Sequence, residues 1–253
     1  MRRSIVISGA SSGLGAALAL NYAGPDAALF LTARNAERLE AVALDCAAKG
    51  AEVETMPLDI NDTEGVRAWI DAIDERAPID LAVVNAGILD THGPGRALED
   101  ATKALGQIAT NLGGSVNLVT AVAPHMQARQ AGQIALIASL SGLQPLADLP
   151  AYSASKAGVI AYGEALSSYL SRDGVTVSVI CPGYVATPMT QKYENWRPFE
   201  MTAPRAAARI RRALDRRRAF YAFPWPMVLS IRLGRLLPPF LRRHATRAFD
   251  YKR

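Results

Sequence analysis

Cysteine and histidine are scarce: Cys46, Cys181, His92, His125 and His244 are the only examples in 253 residues. Two cysteines exclude a disulfide framework and a Cys-rich zinc site, and read best as small apolar residues of a core. The histidines have no short ligand spacing, so no metal centre is expected. Aromatics make up only 7%. No run reaches the roughly 18–20 uncharged apolar residues of a membrane-spanning helix. The longest candidate, residues 219–231, has 13 residues and contains two prolines. Arg2 and Arg3 lead into a short β-like run and then glycines, not a secretory leader, so a cytoplasmic protein is expected. The composition is 50% apolar and 20% charged. That suits one large domain with a sizeable core and excludes disorder for most of the chain.

The net charge of +5 hides an asymmetry. From Met201 onward there are 14 Lys and Arg against Asp215 and Asp250, so +12, while residues 1–200 carry 14 against 21, so −7. A mildly acidic body with a strongly basic end suggests that the end meets something anionic. A nucleic-acid partner is not expected.

Short apolar runs at 4–7, 27–32, 52–58, 80–84, 133–138 and 175–180 read as buried strands. Helical patterns separate them. Residues 14–23 follow a glycine turn, 35–49 start at an Asn cap, 62–76 have an acidic first turn, 98–129 form one long helix, and 152–172 another. Repeated strand–helix alternation predicts an α/β fold: a single doubly wound Rossmann domain on a parallel sheet of about seven strands. The domain is placed at 1–223, with a last strand at 219–223. A basic, amphipathic extension occupies 224–253. After Thr187 the pattern loosens.

The first strand runs into Gly9, Ala10, Ser11, Ser12, Gly13, Leu14 and Gly15, and a helix follows. Glycines at such a turn let the backbone approach a pyrophosphate at a helix N-terminus. The same residues also spell the G-x-S-x-G elbow of serine hydrolases around Ser11, but an elbow normally follows several strands. Where NAD enzymes carry an acidic residue after the second strand, this chain has Ala33 followed by Arg34. Arg34 there can pair with a 2′-phosphate; the alternative is a solvated arginine opening the next helix. Tyr152 and Lys156, four apart on a helix, share a face. A nearby ammonium favours a phenolate and lowers its pKa, so the two form a plausible acid/base pair. Ser139 ends a strand shortly before them.

With these residues in place, the chain from residue 4 to about 190 resembles the short-chain dehydrogenase/reductase family in its short form. The markers occur in order: Ser8 to Gly15, Leu58-Asp59-Ile60, Asn85-Ala86-Gly87, Asn111, Ser139, Tyr152 to Lys156, and Pro182-Gly183 with Thr187. The resemblance implies an NADP(H)-dependent oxidoreductase acting on a ketone/alcohol pair. Tyr152 would be general acid in reduction and base in oxidation. Lys156 would lower its pKa and hold the nicotinamide ribose. Ser139 would bond the reacting oxygen, and Asn111 would hold a water linking Lys156 to solvent. Asp59 would face the adenine amine, Asn85 would line the cleft, and Val185 and Thr187 would face the carboxamide. Further cofactor contacts would fall on Gly9, Ser11, Ser12, Gly13, Leu14, Gly15, Ile60, Ala86, Gly87, Pro182 and Gly183. Val84 and Ser8 depart from the family's usual Asn and Thr. A noncatalytic NADP(H)-binding regulator on the same fold is the alternative reading.

Residues 187–202 correspond to the substrate lid, where Tyr193, Trp196 and Phe199 either line an apolar pocket or only pack the lid. A helix at 227–237 would be apolar over most of its surface. Residues 224–243 therefore have three readings: docking on an anionic membrane surface, an oligomer contact, or packing on their own domain. A homo-oligomer, dimer or tetramer, is expected. The substrate is read as apolar and close to the membrane.

Overall fold

The computed structural model describes residues 2–91, 98–191 and 197–237. The first half alternates as expected. Strand β1 (Arg3–Ser8) leads to α1 (Gly13–Tyr22), β2 (Ala27–Ala33), α2 (Ala36–Ala47), β3 (Glu52–Pro57), α3 (Thr63–Arg76) and β4 (Leu81–Val84). The second half continues with α4 (Ala101–Ile108), a π-helical turn (Ala109–Gly113), α5 (Gly114–Ala128), β5 (Gly132–Ile137), α6 (Leu140–Leu143), α7 (Pro150–Leu170) and β6 (Val175–Pro182). After these come β7 (Val185–Ala186), β8 (Met201–Thr202), α8 (Ala203–Asp215), β9 (Phe220–Phe223) and α9 (Trp225–Arg235).

Seven strands form one parallel sheet in the order β3-β2-β1-β4-β5-β6-β9. β1, β2, β4 and β5 are buried along nearly their whole length, because helices cover both faces. One layer of core, with Leu18, Leu31, Leu39 and Ile210, lies under α1, α2 and α8. The other, with Ile70, Leu118, Val159 and Val179, lies under α3, α5 and α7. From β1 the chain moves outward to β2 and β3, then returns to β4 on the other side. That reversal opens a crevice at the carboxyl ends of β1 and β4, where ligands bind in this class of sheet.

The expected Asn35 cap forms, and Asp62 caps α3 as well. Asn35 Oδ1 accepts from the amide of Arg38 at 2.8 Å, and Asp62 Oδ1 from that of Gly65 at 3.0 Å. Four local expectations are corrected. The strand read as buried at 52–58 is the sheet's edge, β3, none of whose residues is buried because only β2 flanks it. The helix read at 98–129 begins only at Ala101 and widens into the π turn at Ala109–Gly113. Helix α8 lies where the pattern had loosened: its buried stripe, Ala206, Ala207, Ile210, Ala213 and Leu214, is mostly alanine among arginines, too weak a hydrophobic signal to stand out. The helix read at 227–237 starts and ends two residues earlier.

Candidate active site

Strand β1 ends at Ser8, whose hydroxyl accepts from the amides of Asn85 at 3.0 Å and Ala86 at 3.1 Å. This ties β1 to the end of β4, so the serine does locally what a threonine hydroxyl would do. Asn85 Nδ2 returns bonds to the carbonyls of Ser8 at 3.1 Å and Gly9 at 3.3 Å. The chain then turns through Gly9 and Gly13 at φ +66° and +56°, a region favouring glycine. A Cβ on Gly15 would stand 2.1 Å from the Gly9 carbonyl oxygen, so α1 packs directly on the turn. Ser12, at the N-cap, makes no side-chain bond to the helix. The first-turn amides and the positive end of the helix dipole are therefore left for a ligand.

A cleft of about 470 Å³ runs along the crevice. Gly9, Ser11, Ser12, Gly13, Leu14, Gly15, Arg34, Asp59, Ile60, Asn85, Ala86, Gly87, Ser139, Tyr152, Lys156, Pro182, Gly183, Val185 and Thr187 all line it. Thr187 closes over the glycine turn: a Cβ on Gly13 would lie 3.2 Å from the Thr187 Cβ. Asn35 and Arg38 also line the rim, and sequence reasoning missed both. The signal was present, since Arg38 lies in the first turn of the helix that Asn35 caps, four residues after Arg34. Asp59 is engaged locally, accepting from the amide and side chain of Asn61 at 2.9 and 3.0 Å.

At the other end of the cleft, α7 presents Tyr152 and Lys156 together, with Nζ 5.9 Å from the Tyr152 ring centroid. Ser139 caps α6, where its Oγ accepts from the amide and hydroxyl of Ser141 at 3.1 and 2.9 Å, and its side chain acts on the Tyr152 phenol. Burial pushes the Tyr152 phenol up to about 12, and the Ser139 bond pulls it back only in part. Lys156 is itself buried, donates to the Ile137 carbonyl at 2.8 Å, and is driven down to about 8 by burial. In both groups the largest cause is burial, which disfavours the charged form.

Asn111 does not line the cleft. It sits behind it in the π turn, fully buried, with Oδ1 accepting from the Ile88 amide at 2.7 Å and Nδ2 donating to the Ile88 carbonyl and Ser155 Oγ, each at 3.0 Å. Its main-chain carbonyl accepts from Ser115 Oγ at 2.6 Å. A Cβ on Gly87 would come within 3.0 Å of Asn111 Oδ1 and 3.6 Å of Lys156 Nζ, so Asn111 backs the cleft wall at Gly87, beside Lys156. In the lid, Tyr193 and Trp196 lie outside the described residues, and Phe199 is 58% exposed to solvent. His125 is the one described histidine; it pairs with Asp71 at 2.7 Å and does not line the cleft, so no triad forms around Ser11 among the described residues.

Residues 3–198 match the family model described as short chain dehydrogenase. An uncharacterized oxidoreductase of Myxococcus xanthus is 34% identical over 93% of both chains. The granaticin polyketide synthase putative ketoacyl reductase 1 of Streptomyces violaceoruber is 38% identical over 74% of this chain and 69% of its own. The solved short-chain dehydrogenase from Sphingobium yanoikuyae in complex with NADPH superposes with a TM-score of 0.80 at 27% identity, covering 92% of this chain and 95% of that one. Glycine turn, switch-point crevice and the Tyr152–Lys156 pair thus stand in a chain that belongs to the short-chain dehydrogenase/reductase family of oxidoreductases.

Proposed function

We propose that the protein is an NADP(H)-dependent reductase that converts an apolar carbonyl compound to a secondary alcohol, with Tyr152 as the proton donor. The observation that carries this reading is the convergence of Tyr152, Ser139 and Lys156 at one end of a cleft whose other end is a glycine turn. The turn fits a dinucleotide: Gly9 and Gly15 leave no room for a Cβ against Asn85, Ala86 and the turn itself, so α1 starts tight against the crevice with its first-turn amides at hand. The rim fits a 2′-phosphate, because Ala33 offers no carboxylate while Arg34 and Arg38 offer two guanidiniums. The NADPH complex of the Sphingobium relative supports the same choice. Two unpaired, buried cysteines suit a reducing, cytoplasmic setting.

A bound nicotinamide supplies the hydride. The chain's own residues do the rest. Ser139 and the Tyr152 hydroxyl hold the carbonyl oxygen of the substrate. Tyr152 protonates that oxygen as negative charge develops on it. Lys156 holds the nicotinamide ribose and keeps positive charge beside the phenol. Asn111 backs the cleft wall and, with a water, relays protons between Lys156 and solvent. Asp59 and Ile60 flank the adenine. Val185 and Thr187 face the carboxamide.

The pH dependence tests this assignment. A phenol at about 12 stays protonated at neutral pH, as a general acid must. Lys156, at about 8, is charged below that value and neutral above it. For reduction, kcat/KM for NADPH reports the free enzyme. It is expected to be flat below pH 8 and to fall above it as Lys156 loses its proton. Oxidation needs the phenolate and should be slow at neutral pH. A reduction rate that climbs through pH 8 would contradict both roles.

A further inference from the structure

Helix α9 has two apolar faces. Met227, Val228 and Ile231 pack against the core layer beneath α5 and α7, which settles the inner face as packing on its own domain. On the opposite side Trp225, Leu229, Leu233 and Leu236 follow at helical spacing and are 72%, 47%, 57% and 81% exposed. Four large apolar residues in one solvent-facing stripe are more than the single exposed hydrophobics normal on a surface.

Three facts choose what covers this stripe. First, residues 224–253 carry seven Lys and Arg against one Asp. The other seven cations of the basic end belong to residues 203–218, on or beside α8 in the opposite layer, where Arg211 stacks 5.0 Å from the Tyr22 ring. Second, a two-fold contact between copies sets a patch against itself. Here that would bring two such cationic stretches together, whereas an anionic surface complements them. Third, no helix among the described residues is long and apolar enough to cross a membrane, while a Trp-edged stripe with arginines suits an interface.

We infer that the outer face of α9 docks on an anionic lipid bilayer, with Trp225, Leu229, Leu233 and Leu236 at headgroup depth and the exposed Arg232 and Arg235 meeting lipid phosphates. The helix lies one side chain from the cleft. A Cβ on Gly183, which lines it, would stand 3.3 Å from Met227 Sδ and 2.9 Å from Pro224 Cδ. Docking therefore holds the reaction centre near the bilayer, which gives the proposed reductase access to a carbonyl dissolved in lipid. This last step rests on the proposed function; the docking itself does not.

Full-length protein is sedimented with vesicles of phosphatidylglycerol and phosphatidylcholine, and with phosphatidylcholine alone. Binding is expected only to the anionic vesicles, and to weaken about tenfold or more between about 0.05 and 0.5 M salt as the Debye length shortens. Leu229→Asp/Leu233→Asp should lose that binding about tenfold or more while keeping NADPH affinity, the melting transition and the wild-type oligomeric state. No binding to anionic vesicles at low salt overturns the inference. So does equal binding to neutral vesicles, or binding that the double variant retains. A double variant that turns a dimer into monomers assigns the face to a second copy, and also overturns it. Vesicle binding without any turnover of a carbonyl leaves the docking standing and removes the proposed reaction instead.

Discussion

Tyr152→Phe is expected to lose about 10²–10⁴-fold in turnover, the range a positioned proton donor supplies, while NADPH still binds. The substitution removes one atom that does one task. The ring remains packed in the cleft wall beside Lys156, and the glycine turn is untouched. What disappears is the hydroxyl of the only phenol that lines the cleft among the described residues. Steady-state NADPH consumption, together with cofactor fluorescence to show that the variant is loaded, checks this. If the variant keeps more than about a tenth of wild-type turnover, the missing barrier is below 1.4 kcal/mol and the proton comes from elsewhere.

Arg34→Ala/Arg38→Ala is expected to weaken NADPH binding about a hundredfold and leave NADH nearly unchanged. A charge-assisted bond to phosphate contributes about 1.5–3 kcal/mol, and exposed guanidiniums fall at the lower end, close to tenfold each. Both side chains line the cleft rim, Arg34 just before the N-cap of α2 and Arg38 in its first turn, so their effects should add while both reach the same phosphate. Titration of both cofactors against wild type and variant separates the outcomes. Equal wild-type affinity for NADPH and NADH would mean that neither arginine reads a phosphate.

The fold was legible because its elements are bounded by chemistry that acts locally. Asn35 caps the helix it was expected to cap, and each core strand is a short apolar run ended by a turn. The glycine end of the cleft was legible for the same reason, since Gly9, Gly13 and Gly15 are required by backbone conformation or close approach. Three features were not legible. Helix α8 buries alanines, which carry little hydrophobic signal. The π turn around Asn111 arises from tertiary bonds to Ile88 and Ser155, far away in sequence. The upward shift of the Tyr152 phenol comes from its burial, which spacing along a helix does not encode. The tail was legible as amphipathic and basic, yet only the folded chain divides α9 into a packed face and an exposed one.

The central claim is that this cleft reduces a carbonyl with NADPH, and loss of absorbance at 340 nm measures it most directly. Wild-type protein is mixed with NADPH and a panel of apolar ketones and acyl substrates, and the product is quantified alongside. Consumption of NADPH that depends on the ketone, with one alcohol formed per NADPH and a clear preference over NADH, is the predicted result. Tight NADPH binding with no ketone of the panel turned over would contradict it, and would make the protein a cofactor-binding regulator on the same fold.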